Sequence, residues 1–428
     1  MILITTTLFL FFALAIYRLY WALWLTAFAL PAYLIRFEVF GWPFTLLEGF
    51  ILAVVLAWAI RLTLTNKWRS VRFPGIWLIG VFAIAATLAV FVSPETRAAW
   101  GIWKAYFVEP ILLYLVIANE ARSTSVRRGL VYALGLSVIV IGCYAAGQYL
   151  GWWTSPEPWI SESPKRVTSI FGYPNAVGLF VTPIIGLFLG LLALKQRAWP
   201  HWFSILVLIT GLWSLFASVT RGAAIGLIAA LIFLAVFSQR RRWVWLMVVL
   251  LTATILLTPG IRNQARDIAV GEDTSTDVRL VLWQGTWDLL KARPFLGSGL
   301  AGFPTVYDEY RQAKHTELLL YPHNIFLNFW TETGLLGLLA IVILLAWFFY
   351  HGAAARRKPD SVLAFGLLTA MTALVFYGLV EAPYFKNDLS AQFWILFGLM
   401  AAIAQMDEGS GRSLTHEDIQ RLRKHSVR

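Results

Sequence analysis

Long apolar runs separated by short polar punctuation dominate this chain, near residues 2–16, 19–35, 45–62, 74–92, 103–118, 130–150, 176–194, 201–218, 222–238, 243–259, 325–350, 362–380 and 390–405. Many approach the roughly 17–25 residues that a helix needs to cross the hydrocarbon core of a bilayer. The pattern predicts an all-α polytopic membrane bundle of about 12 transmembrane helices, or about 13 if both opening runs cross. Those two runs are short, so they read as a hairpin or as one crossing beside one interfacial segment. One large polar stretch interrupts the pattern, a loop over 260–322. Within it, residues 278–292 have helical periodicity, so short amphipathic helices are expected there. The chain reads as a single membrane domain, 1–428, that contains this loop and ends in a polar tail over 406–428. No internal repeat is visible, which counts against the inverted repeats of many transporters.

Composition agrees with the pattern. Hydrophobic residues make up 59% of the chain and charged residues only 14%, with a mean hydropathy of +0.69. The first seventeen residues lack a basic leader, so they read as a retained membrane segment and not a cleaved signal. The one cysteine, Cys143, lies in an apolar run, which leaves no disulfide framework and no thiolate metal cluster. The 21 tryptophans and 15 tyrosines suit interfacial belts. A net charge of +12 would suggest nucleic acid in a soluble protein; here topology accounts for most of it. Alternate connections carry Arg61, Lys67, Arg69 and Arg72, then Arg122, Arg127 and Arg128, then Lys195 and Arg197. Arg240–Arg242 and Arg356–Lys358 continue that side, which with Arg18 and the tail holds most of the 35 basic residues. Positive residues favour the cytoplasmic side. The long loop, the 151–175 loop, Arg221 and His323 are then expected to face outward together.

That shared face carries the candidate chemistry. Arg221 stands in Ser218-Val219-Thr220-Arg221-Gly222, a tight connection between two apolar runs. It reads either as a snorkelling arginine or as an anion site. Arg166 precedes the run at 176, and Asn175 could cap that helix. Around the 278–292 helix, Asp277, Gln284, Asp288 and Lys291 share a polar face, whereas Arg279 aligns with Leu282, Trp283, Thr286 and Leu290. An arginine in an apolar stripe calls for an anionic neighbour, either a protein carboxylate or a bound phosphate group. His323 and Asn324 open the helix at 325–350. Asn324 suits an N-cap, and an imidazole can take or give a proton near neutral pH. Glu109 interrupts an apolar run beside Pro110 and is expected close enough to the outer surface to be hydrated; Glu332 and Glu381 are secondary candidates. The sequence shows no phosphate-binding glycine loop, no histidine or cysteine metal motif and no paired-aspartate motif for nucleotide sugars. No cofactor is expected.

Four motifs in order make the chain resemble the O-antigen ligase/polymerase superfamily of bacterial polytopic membrane glycosyltransferases. They are Arg166 with Gly172, Pro174 and Asn175; Thr220-Arg221-Gly222; Arg279 with Trp283, Pro294, Gly297 and Gly299; and His323-Asn324 with Leu327, Glu332, Gly334 and Gly337. The chain departs from the family pattern at Thr220, where serine is common, and at Ser169 and Tyr173, where glycine and asparagine would be expected. The resemblance implies an enzyme of the inner membrane that uses a polyprenyl-diphosphate-linked glycan as donor, without metal or nucleotide sugar. It implies transfer to a lipid, glycan or protein hydroxyl on the outer face, as ligase, polymerase or protein O-oligosaccharyltransferase. His323, Arg221 and Arg279 would then be catalytic, with Arg166, Asn175, Asn324, Glu332 and Glu109 contacting substrate. The polyprenyl tail would enter between helices among the membrane lipids, and nucleic acid would have no part. A lipid-linked glycan flippase is the alternative of a different class; there the arginines would line a path and His323 would only sit at a helix end.

Overall fold

The computed structural model describes residues 2–162, 165–194, 199–238, 241–242, 244–245, 274–312, 319–355 and 360–410. Most of the expected apolar helix at 243–259, the first part of the 260–322 loop and most of the 406–428 tail lie outside the described residues.

The chain opens with α1 (Ile2–Tyr17) and α2 (Leu19–Phe28), which pack on each other and on α3 (Leu46–Leu64). The run at 19–35 is not one helix; the fold stays helical, with one short hairpin added. A 3-10 turn, Leu30–Leu34, leads into an antiparallel hairpin of β1 (Arg36–Val39) and β2 (Trp42–Thr45), with Arg36 opposite Thr45. Phe40 and Gly41 both have positive φ, 50° and 77°. Two such residues in succession suit a two-residue turn whose twist matches the flanking strands. Thr45 then caps α3 in a reciprocal box with Glu48.

Next come α4 (Ile76–Val92), α5 (Thr96–Ile102) and α6 (Glu109–Glu120), the last two joined through a π-turn at Trp103–Val108. Then follow α7 (Thr124–Tyr149), α8 (Pro174–Ala193), α9 (His201–Ser218) and α10 (Arg221–Phe237). Beyond the undescribed stretch lie α11 (Thr274–Ala292), the short α12 (Phe303–Tyr307), α13 (Ile325–Ala354), α14 (Ser361–Tyr377) and α15 (Asn387–Ser410).

Helices α8, α14 and α15 form the centre. The apolar windows of Pro174–Ala193 and Asn387–Met406 are each 89% buried, against 39% for His201–Ser218, so α9 lies at the periphery. Close approach of α8 and α14 depends on small residues: a Cβ on Gly190 would come within 2.6 Å of the Gly366 Cα. Where lipid is as apolar as leucine, such backbone-to-backbone packing is what holds helices together. Seven described helices are long and apolar enough to cross a membrane, where about 12 crossings were expected. Five more, Ile2–Tyr17, Leu19–Phe28, Ile76–Val92, Arg221–Phe237 and Ser361–Tyr377, are apolar but 10–17 residues long.

Candidate active site

The polar end of the bundle is assembled where α8, α10 and α13 begin and α9 and α14 end. At the start of α13, the Asn324 Oδ1 accepts from the backbone N–H groups of Phe326 at 3.0 Å and Leu327 at 3.1 Å. This is the expected N-cap. Its Nδ2 donates to the Leu379 carbonyl at 3.0 Å, and the Ile325 N–H donates to the Gly378 carbonyl at 2.6 Å. The start of α13 is thereby stitched to the chain leaving α14, which brings Glu381 beside His323. His323 itself has φ 48°, a left-handed conformation that costs a non-glycine residue roughly 1–3 kcal/mol and clusters at functional sites. The Trp283 indole of α11 holds the preceding Pro322 carbonyl at 2.8 Å.

Glu381 is the hub. Its Oε2 lies 2.9 Å from the His323 Nδ1, its Oε1 accepts from the Asn175 Nδ2 at 2.9 Å, and the Arg279 Nη2 stands 3.8 Å from Oε1. An ionised carboxylate only accepts, so the Nδ1 donates to it, and in the neutral imidazole the Nε2 then holds the lone pair. The carboxylate is 4% exposed, whereas the side chains of His323 and Arg279 are 23% and 24% exposed. The buried acid therefore orients groups that remain open to a ligand. Arg279 has the carboxylate neighbour that its place in the apolar stripe called for.

Asn175 extends the network. Helix α8 has Tyr173 as its N-cap, so Asn175 does not cap it; its Oδ1 instead accepts from the Arg166 Nη2 at 3.2 Å. Arg166 also donates through Nε to the Ser218 carbonyl at 3.0 Å and stacks on Trp159, with Cζ 5.2 Å from the ring centre. Burial holds the Arg166 guanidinium below the ordinary arginine value, with Glu162 opposing and Arg221 adding like-charge repulsion. Arg221 thus stands close enough to be felt. It opens α10 after a turn in which Val219 has φ 50° and the Thr220 Oγ1 donates to the Pro174 carbonyl at 3.2 Å. A β-branched residue in that region is a genuine outlier, so the turn is held by its surroundings.

Two expected site residues sit elsewhere. Glu332 is buried and its Oε2 accepts from the Ala301 N–H at 2.6 Å, anchoring the loop 293–302. The same loop meets a break in α13 at Gly334, with φ 69° and ψ −177°. The Leu335 N–H donates to the Phe295 carbonyl at 3.0 Å, and a Cβ at 334 would lie 2.4 Å from that carbonyl oxygen. Only glycine suits both demands. Glu109 is corrected: it is 1% exposed, not hydrated, and neither carboxylate oxygen has a hydrogen-bond partner among the described residues. Its charged neighbours are Glu48 and Lys104, not the His323 cluster.

A cavity of about 900 Å3 adjoins the cluster. None of Arg166, Arg221, Arg279 and His323 lines it; it meets the cluster through Tyr173 and Tyr321, whose ring lies 5.9 Å from that of His323. Burial, with Glu381 and Glu332 next, pushes the Tyr321 phenol up to about 12, so it stays a donor. Sequence reasoning underrated Glu381 and missed Tyr173, Tyr321 and Lys386. The only signal for Glu381 was an isolated acid just past an apolar run.

The fold and site define a multi-pass helical membrane protein in which Arg279, Asn175 and His323 converge on one shared carboxylate at one end of the bundle. Residues 205–342, roughly a third of the 428, match the family model for O-Antigen ligase. Over that segment the chain is similar to O-antigen ligases, in line with the resemblance carried by the motifs. The matched residues include Arg221, Arg279, His323, Asn324 and Glu332, whereas Arg166, Asn175 and Glu381 join them only through the fold. No curated protein matches the chain. The match supports an O-antigen ligase/polymerase type of function in general.

Proposed function

We propose that this protein transfers a glycan from a polyprenyl diphosphate carrier to an acceptor hydroxyl at the outer face of the bacterial cytoplasmic membrane, an O-antigen ligase-like step in cell-surface polysaccharide assembly. The observation that carries this reading is Glu381: one buried carboxylate holds His323 by Nδ1 and stands beside Arg279 and Asn175. In this reading four of the five shorter apolar helices also cross, all but the 10-residue Leu19–Phe28, and with the expected segment at 243–259 they give about 12 crossings; the site end and the 260–322 loop face outward.

The chemistry follows from the geometry. The His323 Nε2 takes the proton of the acceptor hydroxyl, whose oxygen forms a bond to the anomeric carbon. The bond from that carbon to the phosphate oxygen breaks, and the diphosphate leaves with the electron pair. Charge grows on the leaving group as it departs. Guanidinium groups fixed beforehand stabilise that charge, a contribution worth about 3–4 kcal/mol for one donor. Arg279 and Arg221 fill this role, with Arg166 held behind them by Asn175 and Trp159. Glu381 keeps the imidazole in the useful tautomer and balances the charge of the site between donors. The polyprenyl tail lies among the membrane-facing side chains at the bundle edge.

Purified protein in nonionic detergent, given lipid-linked glycan and acceptor, tests this. Detergent abolishes sidedness, so a flippase yields nothing measurable, while a transferase yields a covalent glycan–acceptor product. Product that resists chelators is expected; no product with any hydroxyl acceptor class would sink the reading.

A further inference from the structure

The transfer scheme leaves the cavity of about 900 Å3 beside the cluster without a role. Its walls include Tyr33, Tyr106, Tyr173 and Tyr321. Flat aromatic faces beside polar groups suit a sugar ring, whose C–H faces are apolar and whose rim is hydroxylated. The carboxylates that reach the cavity are already engaged. Glu48 meets the Lys104 Nζ at 2.9 Å and the Asn387 Nδ2 at 2.9 Å, Glu332 holds the Ala301 N–H, and Glu95 accepts from the Thr305 Oγ1 at 3.1 Å.

Lys386 differs from them. It lines the cavity with its side chain 12% exposed, and its Nζ makes no hydrogen bond among the described residues. It is ion-paired with the buried Asp388 at 3.5 Å, and the rings of Tyr33, Phe171 and Tyr173 surround the ammonium at 4.7, 4.9 and 5.6 Å, so its charge is balanced while its hydrogen-bond donors are not used. Aromatic faces partly offset the loss of water, but an ammonium has three donors to satisfy. A buried charged group without hydrogen bonds is costly. Burial holds the lysine below its ordinary value, with Asp388 pulling the other way. An anion arriving in the cavity would supply the missing partners. Arg36 and Arg97 line the same cavity, where the acids Glu48, Glu95 and Glu332 also stand.

We infer that this cavity is the subsite for the acceptor glycan, and that Lys386 recognises an anionic substituent on it, a phosphate or a carboxylate. The inference rests on the proposed transfer reaction for the word acceptor, but the binding it describes can be measured without any transfer.

Binding of glucose 6-phosphate, glucuronate and glucose to the full-length protein in nonionic detergent is the test, read by saturation-transfer NMR titration. The two acids separate phosphate from carboxylate recognition. At least one is expected to bind roughly tenfold tighter than glucose. Lys386→Met should remove that preference and leave glucose binding unchanged, while Lys386→Arg should keep it. Arg279→Ala should leave it intact, because the arginine cluster lies outside the cavity. Should Lys386→Met fail to fold, Lys386→Gln serves in its place. Equal binding of acids and glucose, a preference that survives loss of Lys386, or one abolished by Arg279→Ala instead would each overturn the inference. Transfer without this preference refutes the inference alone; the preference without transfer refutes the functional reading alone.

Discussion

Helix α14 links two charged ends that share an ingredient and differ in use. Just before it, Asp360 pairs with the Arg127 Nη2 at 2.8 Å; just after it, Glu381 stands 3.8 Å from the Arg279 Nη2. Seventeen helical residues separate the two sites by about 25 Å. Arg127 is 3% exposed and donates to the carbonyls of Ala121 and Arg122 at 2.8 and 2.7 Å and to the Thr124 Oγ1 at 3.1 Å. Its guanidinium is spent on fastening helix ends. Arg279 is looser, a quarter exposed, and shares its carboxylate with an imidazole and an amide. A short ion pair that also donates to three other oxygens fastens helix ends; a longer one that shares its carboxylate keeps its guanidinium partly exposed.

Breaking each end in turn sharpens the contrast. His323→Ala should lower glycan transfer by roughly 100- to 10,000-fold while the unfolding midpoint in detergent stays put; full activity would remove the base assignment. Arg127→Met should do the reverse. Leaving Asp360 without its partner costs about 3 kcal/mol, visible as a lower denaturation midpoint, with turnover per folded molecule unchanged. A loss of turnover at constant stability would show that the two ends are coupled. Gly334→Ala places a Cβ against the Phe295 carbonyl at positive φ. It should cost about 2 kcal/mol and speed proteolysis of the 293–302 loop, and an unchanged digestion pattern would show that the loop does not depend on that break in α13. The smallest effect is expected at Val219→Gly, which relieves the left-handed turn before Arg221. A gain of about 1 kcal/mol is expected; a loss would mean that the valine side chain contributes packing that outweighs the strain.

Much of this was legible in the order of residues. Apolar runs of membrane length announced the bundle, because a bilayer imposes a fixed length on any helix that crosses it. The amphipathic pattern marked α11, which runs Thr274–Ala292 where 278–292 was expected. Arg279 stood out there because a charge in an apolar stripe contradicts its surroundings. Ser169, in place of the family's expected glycine, has φ 50°, a conformation that glycine adopts without cost. Asn324 capped its helix as expected, since capping is a contact between near neighbours in the chain.

What lay beyond the sequence was every relation between distant residues. The hairpin at Arg36–Thr45 lay in the short connection between two apolar runs, and Glu109, read as hydrated, is interior. Glu381 looked like one more acid past a helix end until the fold set it between residues 58 and 206 positions away. Local pattern decides what each segment can be, because helix and turn energetics act over a few residues. Which side chains share one buried carboxylate is decided by how the helices pack, and packing depends on all of them at once.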